Sequence, residues 1–271
     1  MKKLVMIIFL MTLGLAYAGN NDAEKYFSDG KAAFDAKKYD EAIKDFEKAT
    51  ALDQKNAEAY AWLGNAEEES GMHEQAVDDF NRALDINPRL AMAYAGRGNV
   101  KIKVHMYDEA IMDYNRAIEL SPTAENFSGR GNAENAAYNF DEAVKDFEKA
   151  IALNPELAAA YTGRGDTKAH LKDYEGAMKD YGTAIKLAPE SADAWYSRAN
   201  CEKDFDKFSD AVKDYDKTIE LDPKSAWAYY WRGNAKNQLY DKKGAIEDLK
   251  KAGELGLKQA YDKINVIEGV Q

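Results

Sequence analysis

The chain has 271 residues, 45% of them hydrophobic and 31% charged, with five Pro and one Cys, a profile that excludes a disordered or disulfide-stapled polypeptide. Lys and Arg total 37 against 48 Asp and Glu, and the resulting net charge of -11 argues against nucleic acid or an anionic membrane surface as a general partner.

Lys2 and Lys3 precede an apolar stretch from Leu4 to Leu15, and Ala16-Tyr17-Ala18 then places small residues at the two positions a signal peptidase reads. This pattern predicts a secretory signal peptide over residues 1-18, cleaved after Ala18, and a periplasmic or secreted protein. At 12 residues the apolar core is well short of the roughly 20 that span a bilayer as a helix. No integral membrane segment is expected once the signal is removed. Cys201 has no partner within the chain and reads as a small buried thiol.

After a short linker at 19-22 the chain repeats itself. Gly30, Gly64, Gly98, Gly131, Gly165, Ala199 and Gly233 fall 34, 34, 33, 34, 34 and 34 residues apart. Twelve residues after each stands an alanine: Ala42, Ala76, Ala110, Ala143, Ala177, Ala211 and Ala245. Seven copies follow, at 23-56, 57-90, 91-123, 124-157, 158-191, 192-225 and 226-259. Position 4 of every copy is aromatic (Tyr26, Tyr60, Tyr94, Phe127, Tyr161, Trp195, Tyr229), and position 24 is aromatic in all but the last, where Leu249 stands. All five prolines occupy position 32, where they stop a helix and turn the chain. At roughly 100° per residue, positions 4, 7, 8 and 11 share a packing stripe while positions 2, 5, 9, 12 and 13 share a nearly opposite one. Copy three is one residue short, in the Ser121-Thr123 connection.

These columns resemble the tetratricopeptide repeat, a helix-turn-helix unit of 34 residues, in its arginine/aspartate form. The resemblance implies an all-α superhelical solenoid of seven helix pairs whose inner, concave face binds proteins or peptides. Leu257, Tyr261, Ile264 and Ile267 recur at helical spacing, so residues 260-271 are expected to form a closing helix over the last copy's apolar face.

Two polar columns carry the candidate sites. Position 7 is arginine in five copies and position 23 is always aspartate, so structural ion pairs are expected between Arg97 and Asp113, Arg130 and Asp146, Arg164 and Asp180, Arg198 and Asp214, and Arg232 and Asp248. A row of arginines gripping an acidic ligand is the alternative. Asp45 and Asp79 lack the arginine, because Asp29 and Leu63 stand at position 7.

Position 9 reads Asn65, Asn99, Asn132, Asp166, Asn200 and Asn234 from the second copy onward. On the concave stripe these amides form a candidate ladder for a peptide backbone, or else a hydrated column without a ligand. The family's basic clamp for C-terminal carboxylates is absent, since position 5 carries no Lys or Arg. Tyr196, Tyr230 and Trp227, with Trp231 alongside, make the C-terminal third of the groove the expected hot spot, unless the tryptophans pack on the closing helix.

His73, His105 and His170 share no repeat position, and no phosphate loop or nucleophile elbow occurs, so neither a metal, a cofactor nor catalysis is expected. The reading is a non-catalytic exported adaptor for a protein or peptide partner in a cell-envelope assembly. A self-assembling structural protein is the second reading.

Overall fold

The computed structural model describes residues 21–269, and among them the chain is all α-helix and turn. The expected leader, its cleavage point and the last two residues lie outside the described residues. The helices are α1 (21–35), α2 (Tyr39–Leu52), α3 (Ala57–Glu69), α4 (His73–Ile86), α5 (Ala91–Lys103), α6 (Tyr107–Leu120), α7 (Ala124–Ala136), α8 (Phe140–Leu153), α9 (Ala158–His170), α10 (Tyr174–Leu187), α11 (Ala192–Asp204), α12 (Phe208–Leu221), α13 (Ala226–Gln238), α14 (Lys242–Glu254) and α15 (Gln259–Glu268). They fall into two compact units divided between Ala137 and Tyr138.

The turn inside each copy is fixed by backbone chemistry. Position 15 adopts a left-handed conformation, and the next N–H donates to the carbonyl at position 11, as from Met106 to Lys101 and from Asp241 to Lys236. This closes each first helix in a Schellman motif. Glycine is the residue that suits such a φ, yet only Gly71 supplies it, while Lys37, His105, Tyr138, Lys172, Asp206 and Tyr240 are held at φ of 58–66°.

The turn between copies uses side chains. Asp53, Asn87, Asn154 and Asp222 each accept from the N–H two residues on, which orders the chain around position 32. In the shortened Ser121–Thr123 connection Thr123 caps α7 by accepting from the Asn126 N–H, and the Asn126 side chain donates to the Ser121 carbonyl.

Packing follows the small residues. All seven alanines at position 20 are fully buried. The ring at position 24 lies against the glycine at position 8: a Cβ added to Gly64 would stand 3.0 Å from Phe80, and one on Gly165 2.7 Å from Tyr181. A second glycine, at position 6, receives the ring of the preceding copy, so a Cβ on Gly96 would collide with Phe80 and one on Gly129 with Tyr114. First helices also touch the next first helix directly, α3 on α5 and α5 on α7 in the first unit, α9 on α11 and α11 on α13 in the second. Within each unit they therefore line the inner side of the stack.

The last copy is covered by α15, whose Ala260 and Ile264 are buried with Leu249 and Ala252 of α14. Leu257 and Ile267 pack at the edge of that cluster, while Tyr261 is 45% exposed with its ring over Gly253. None of the described helices is long and apolar enough to cross a membrane.

Candidate functional site

Position 7 of the first helix meets position 23 of the second as a two-bonded fork. Arg164 donates from Nε to Asp180 Oδ2 at 2.9 Å and from Nη2 to Oδ1 at 2.7 Å. Arg97 makes the same pair with Asp113 (2.9 and 2.5 Å), Arg198 with Asp214 (2.5 and 2.8 Å), and Arg232 with Asp248 (2.9 and 2.5 Å). The aspartates are buried, and their hydrogen bonds hold the guanidinium groups of Arg97, Arg164 and Arg198 more firmly protonated than usual. An arginine committed in this way is not available to grip an acidic ligand. Arg130 belongs to the first unit, where its Nη1 donates to Asn115 at 2.6 Å, and Asp146 belongs to the second.

A charge alternation at position 11 escaped the sequence reading. Lys101, Lys168 and Lys236 add a second cation to Asp113, Asp180 and Asp248 at 2.7–2.8 Å. Copies two and six carry Glu67 and Glu202 there instead, each with a buried Oε2 that has no hydrogen-bond partner. Burial, then the neighbouring Asp79 or Asp214, pushes each of these carboxyls up to about 8. The aspartates without an arginine find donors one turn on: Lys48 reaches Asp45 at 3.0 Å and Arg82 reaches Asp79 at 2.8 Å.

The asparagine column is not a row of free amides. The Tyr114 hydroxyl donates to Asn99 Oδ1, Tyr181 to Asp166 Oδ1 at 2.8 Å, and Tyr215 to Asn200 Oδ1 at 2.6 Å. The acceptor half of the expected ladder is thus occupied wherever position 24 is tyrosine. Asn234 instead donates from Nδ2 to the Tyr230 carbonyl at 2.8 Å. Asn65 is half-buried, with its oxygen close to Gly96, and Asn132 is exposed. Asn200 is also bonded to the Tyr196 side chain, so what the column can offer a ligand is chiefly the amide NH₂ of the exposed Asn99.

The inner aromatics gather on α11 and α13 of the second unit. Trp227 stacks on Trp231 (6.3 Å, 20°) and meets Tyr230 edge-on at 5.7 Å, while Tyr230 meets Trp231 edge-on at 5.0 Å. Lys203 Nζ sits 4.3 Å over the Trp231 ring. Their supports differ. Trp231 and Tyr196 pack on Ala199, Tyr215 and Ala228, whereas Tyr230 packs on the cluster under the closing helix. It is therefore Tyr230, rather than the tryptophans, that leans on the closing-helix core. Trp227 remains 46% exposed.

Among the described residues no group of three or more His, Cys, Asp or Glu is placed to hold a metal ion. Cys201 is buried, and burial pushes its thiol up to about 11, so it stays protonated at neutral pH.

Family models match along the chain. The TPR repeat model matches residues 30–71 and 206–239, and three tetratricopeptide repeat models match 57–90, 91–123 and 128–184. Together they cover more than half of the sequence. Among solved structures, a tetratricopeptide repeat protein from Parabacteroides merdae ATCC 43184 is 20% identical with a TM-score of 0.71, over 92% of this chain and 99% of that one. The APC/C hetero-tetramer Cut9-Hcn1 (14% identity, TM-score 0.73) matches 84% of this chain, which spans 48% of that one. Yeast Tom70 (20% identity, TM-score 0.67) matches 93% of this chain, which spans 55% of it. No curated protein matches the sequence. With the same helix-turn-helix unit repeated along the chain, its glycine and alanine columns buried, and the repeat models matching most of it, the protein belongs to the tetratricopeptide repeat family.

Proposed function

We propose that the protein is an exported, non-catalytic scaffold that binds a peptide or partner protein on the inner face of its second unit, in a bacterial cell-envelope assembly. The observation that carries this reading is Trp227: a large ring 46% exposed, backed by Tyr230 and by Trp231, over which Lys203 lies. A helix does not need such a ring for its own packing, and a rigid aromatic presented to solvent loses little entropy when a partner covers it. The Asn200 amide on the neighbouring first helix is held at both ends, its oxygen accepting from the Tyr215 hydroxyl and its NH₂ donating to the Tyr196 hydroxyl, so it braces the aromatic patch rather than facing a ligand. Protein binding is the common use of this repeat, and the similar fold of Cut9-Hcn1 comes from a hetero-tetramer. Export rests on Lys2, Lys3, the apolar run that follows and Ala16-Tyr17-Ala18.

The test is affinity capture from an envelope extract with residues 19-271 and with Trp227→Ala, both checked for equal helicity. A partner retained by the first and lost by the second supports the site; equal capture moves binding elsewhere. N-terminal sequencing of the mature protein should read from Gly19, and an N-terminus at Met1 contradicts export.

A further inference from the structure

The arginine at position 7 works across a repeat boundary. Arg97 forks on Asp113, donates from Nη1 to Asn81 of the preceding repeat at 2.6 Å, and lies 5.6 Å over the Tyr94 ring of its own helix. Arg232 repeats the arrangement with Asp248, with Asp216 at 2.6 Å, and with Tyr229 at 5.4 Å. Each of these two guanidinium sites thus has three parts: the carboxylate at position 23, the ring at position 4, and an oxygen at position 25 of the repeat before; Arg198 keeps the first two, with Gly182 at the third.

Repeat two keeps all three parts and lacks the arginine. Leu63 stands at position 7, while Asp79, Tyr60 and Glu47, the equivalents of those parts, line a cavity of about 430 Å³ between α2, α3 and α4. Glu67 and Asp78 line it as well. Glu67 is only 5% exposed, and its Oε2 has no hydrogen-bond partner. Arg82 does not fill the gap. It touches Asp79 Oδ1 from outside, with its side chain 63% exposed, against 15–22% for Arg97, Arg164, Arg198 and Arg232.

We propose that this cavity binds the guanidinium group of an arginine side chain presented by a partner protein, completing in trans the site that repeats three, five, six and seven complete with their own arginine. A guanidinium is flat, so it lies on Tyr60, and its donors form a fork that meets Asp79 while one N–H reaches Glu47 or the unpartnered Glu67 Oε2. A lysine ammonium carries no such fork. The site belongs to the first unit and shares no residue with the aromatic patch around Trp227, so the two stand or fall separately.

Proton release accompanies binding. Glu67 is protonated at neutral pH, and the groups facing it are Asp79, Asp78 and Arg82 on α4, Glu47 on α2 and Tyr60 on its own helix. An incoming cation displaces that proton, so affinity rises as pH rises toward and through about 8.

The test titrates the full mature chain with an N-acetylated, C-amidated Ala-Arg-Ala peptide, its lysine counterpart and free arginine. Following calorimetry or backbone NMR shifts, the arginine peptide is expected to bind at least about tenfold tighter than the lysine peptide. It should also outbind free arginine, whose α-carboxylate is repelled by Glu47, Asp78 and Asp79. Leu63→Arg, which supplies the guanidinium internally, is expected to abolish binding and raise the melting temperature. Glu67→Gln keeps the shape and should weaken binding about fivefold while flattening its pH dependence. Equal arginine and lysine affinities, no binding, or wild-type binding by Leu63→Arg overturn the proposal. Tighter binding of free arginine than of the peptide assigns the cavity to a small molecule and overturns the partner-protein reading.

Discussion

The Tyr181 hydroxyl donates to Asp166 Oδ1 at 2.8 Å, joining the second helix of repeat five to the inner face of its first. Asp166 is the one acid in a column otherwise filled, from repeat two onward, by asparagine. Burial pushes its carboxyl up to about 6 against the opposing hydrogen bonds of Tyr181 and Ser197. Because the folded value lies above the unfolded one of 3.8, the stabilisation is complete at low pH and is lost as pH rises from about 4 to about 6. Tyr181→Phe removes a donor to the charged form, so the Asp166 carboxyl should titrate still higher. The expected loss of stability at neutral pH is about 1.5–3 kcal/mol, read by urea denaturation, with carbon-13 NMR following the carboxyl. An unmoved titration would mean that the hydroxyl does not hold Asp166.

Glu202 gives a second, separable pH dependence. Its carboxyl is pushed up to about 8 by burial and by Asp214, so the folded protein holds a proton that the unfolded chain loses near 4.5. Stability is therefore expected to fall between about pH 5 and pH 8. Glu202→Gln keeps the shape without the titration and should reduce the slope of melting temperature against pH across that window, leaving the share that Glu67 contributes. A slope equal to that of the wild type would place the titrating group elsewhere.

The left-handed turns offer stabilising changes. Tyr240 is 90% exposed and held at φ 64°, so its side chain contributes little packing to offset the strain. Tyr240→Gly should stabilise the second unit by about 1 kcal/mol, detected as a higher melting temperature. Gly71→Ala, at the equivalent position where φ is 78°, should destabilise by a similar amount.

Gly96 sets a spacing between repeats. A methyl group there would run into the Phe80 ring and come within 2.9 Å of Asn65 Oδ1, both in repeat two. Gly96→Ala should cost about 1–3 kcal/mol, whereas Gly182→Ala, where an added Cβ meets nothing within 4 Å, should be neutral or stabilising. Chemical denaturation of the two variants side by side makes the comparison.

The contrast between Gly64 and Gly96 shows what the sequence made legible. Gly64 belongs to a column that repeats in nearly every copy, and that periodicity alone placed it on the packing stripe, although not against the Phe80 ring it meets. Gly96 occupies a position that is glycine in three copies and tryptophan in two, so no column announces it, although it meets the neighbouring repeat's ring more closely. The arginine-aspartate pairing was readable for the same reason, being local to one repeat and recurrent. The tyrosine-asparagine bonds were hidden because they link two columns that each looked complete: an aromatic one assigned to packing and a polar one assigned to a ligand. Only the coincidence of Tyr114, Tyr181 and Tyr215 with Asn99, Asp166 and Asn200 reveals the link, and a hydroxyl is what distinguishes those copies from their phenylalanine counterparts. The Lys/Glu alternation at position 11 repeats every second copy, a period twice the one that organises the rest.

Leu63 has a mechanical corollary. Arg97 and Arg232 tether their own repeat to the helix before it, through Asn81 and Asp216, whereas the junction between repeats one and two has no arginine and is held by Phe34, Phe46 and Trp62 and by a Tyr39–Glu69 hydrogen bond. In a linear array each unit is as secure as its nearest-neighbour interface. Pulled by its ends, the molecule should peel first at the amino-terminal pair, with amides of α1 and α2 exchanging with solvent ahead of those of α5 and α6. A partner's arginine lodged beside Leu63 would then act as a latch, raising the force at which that first pair lets go.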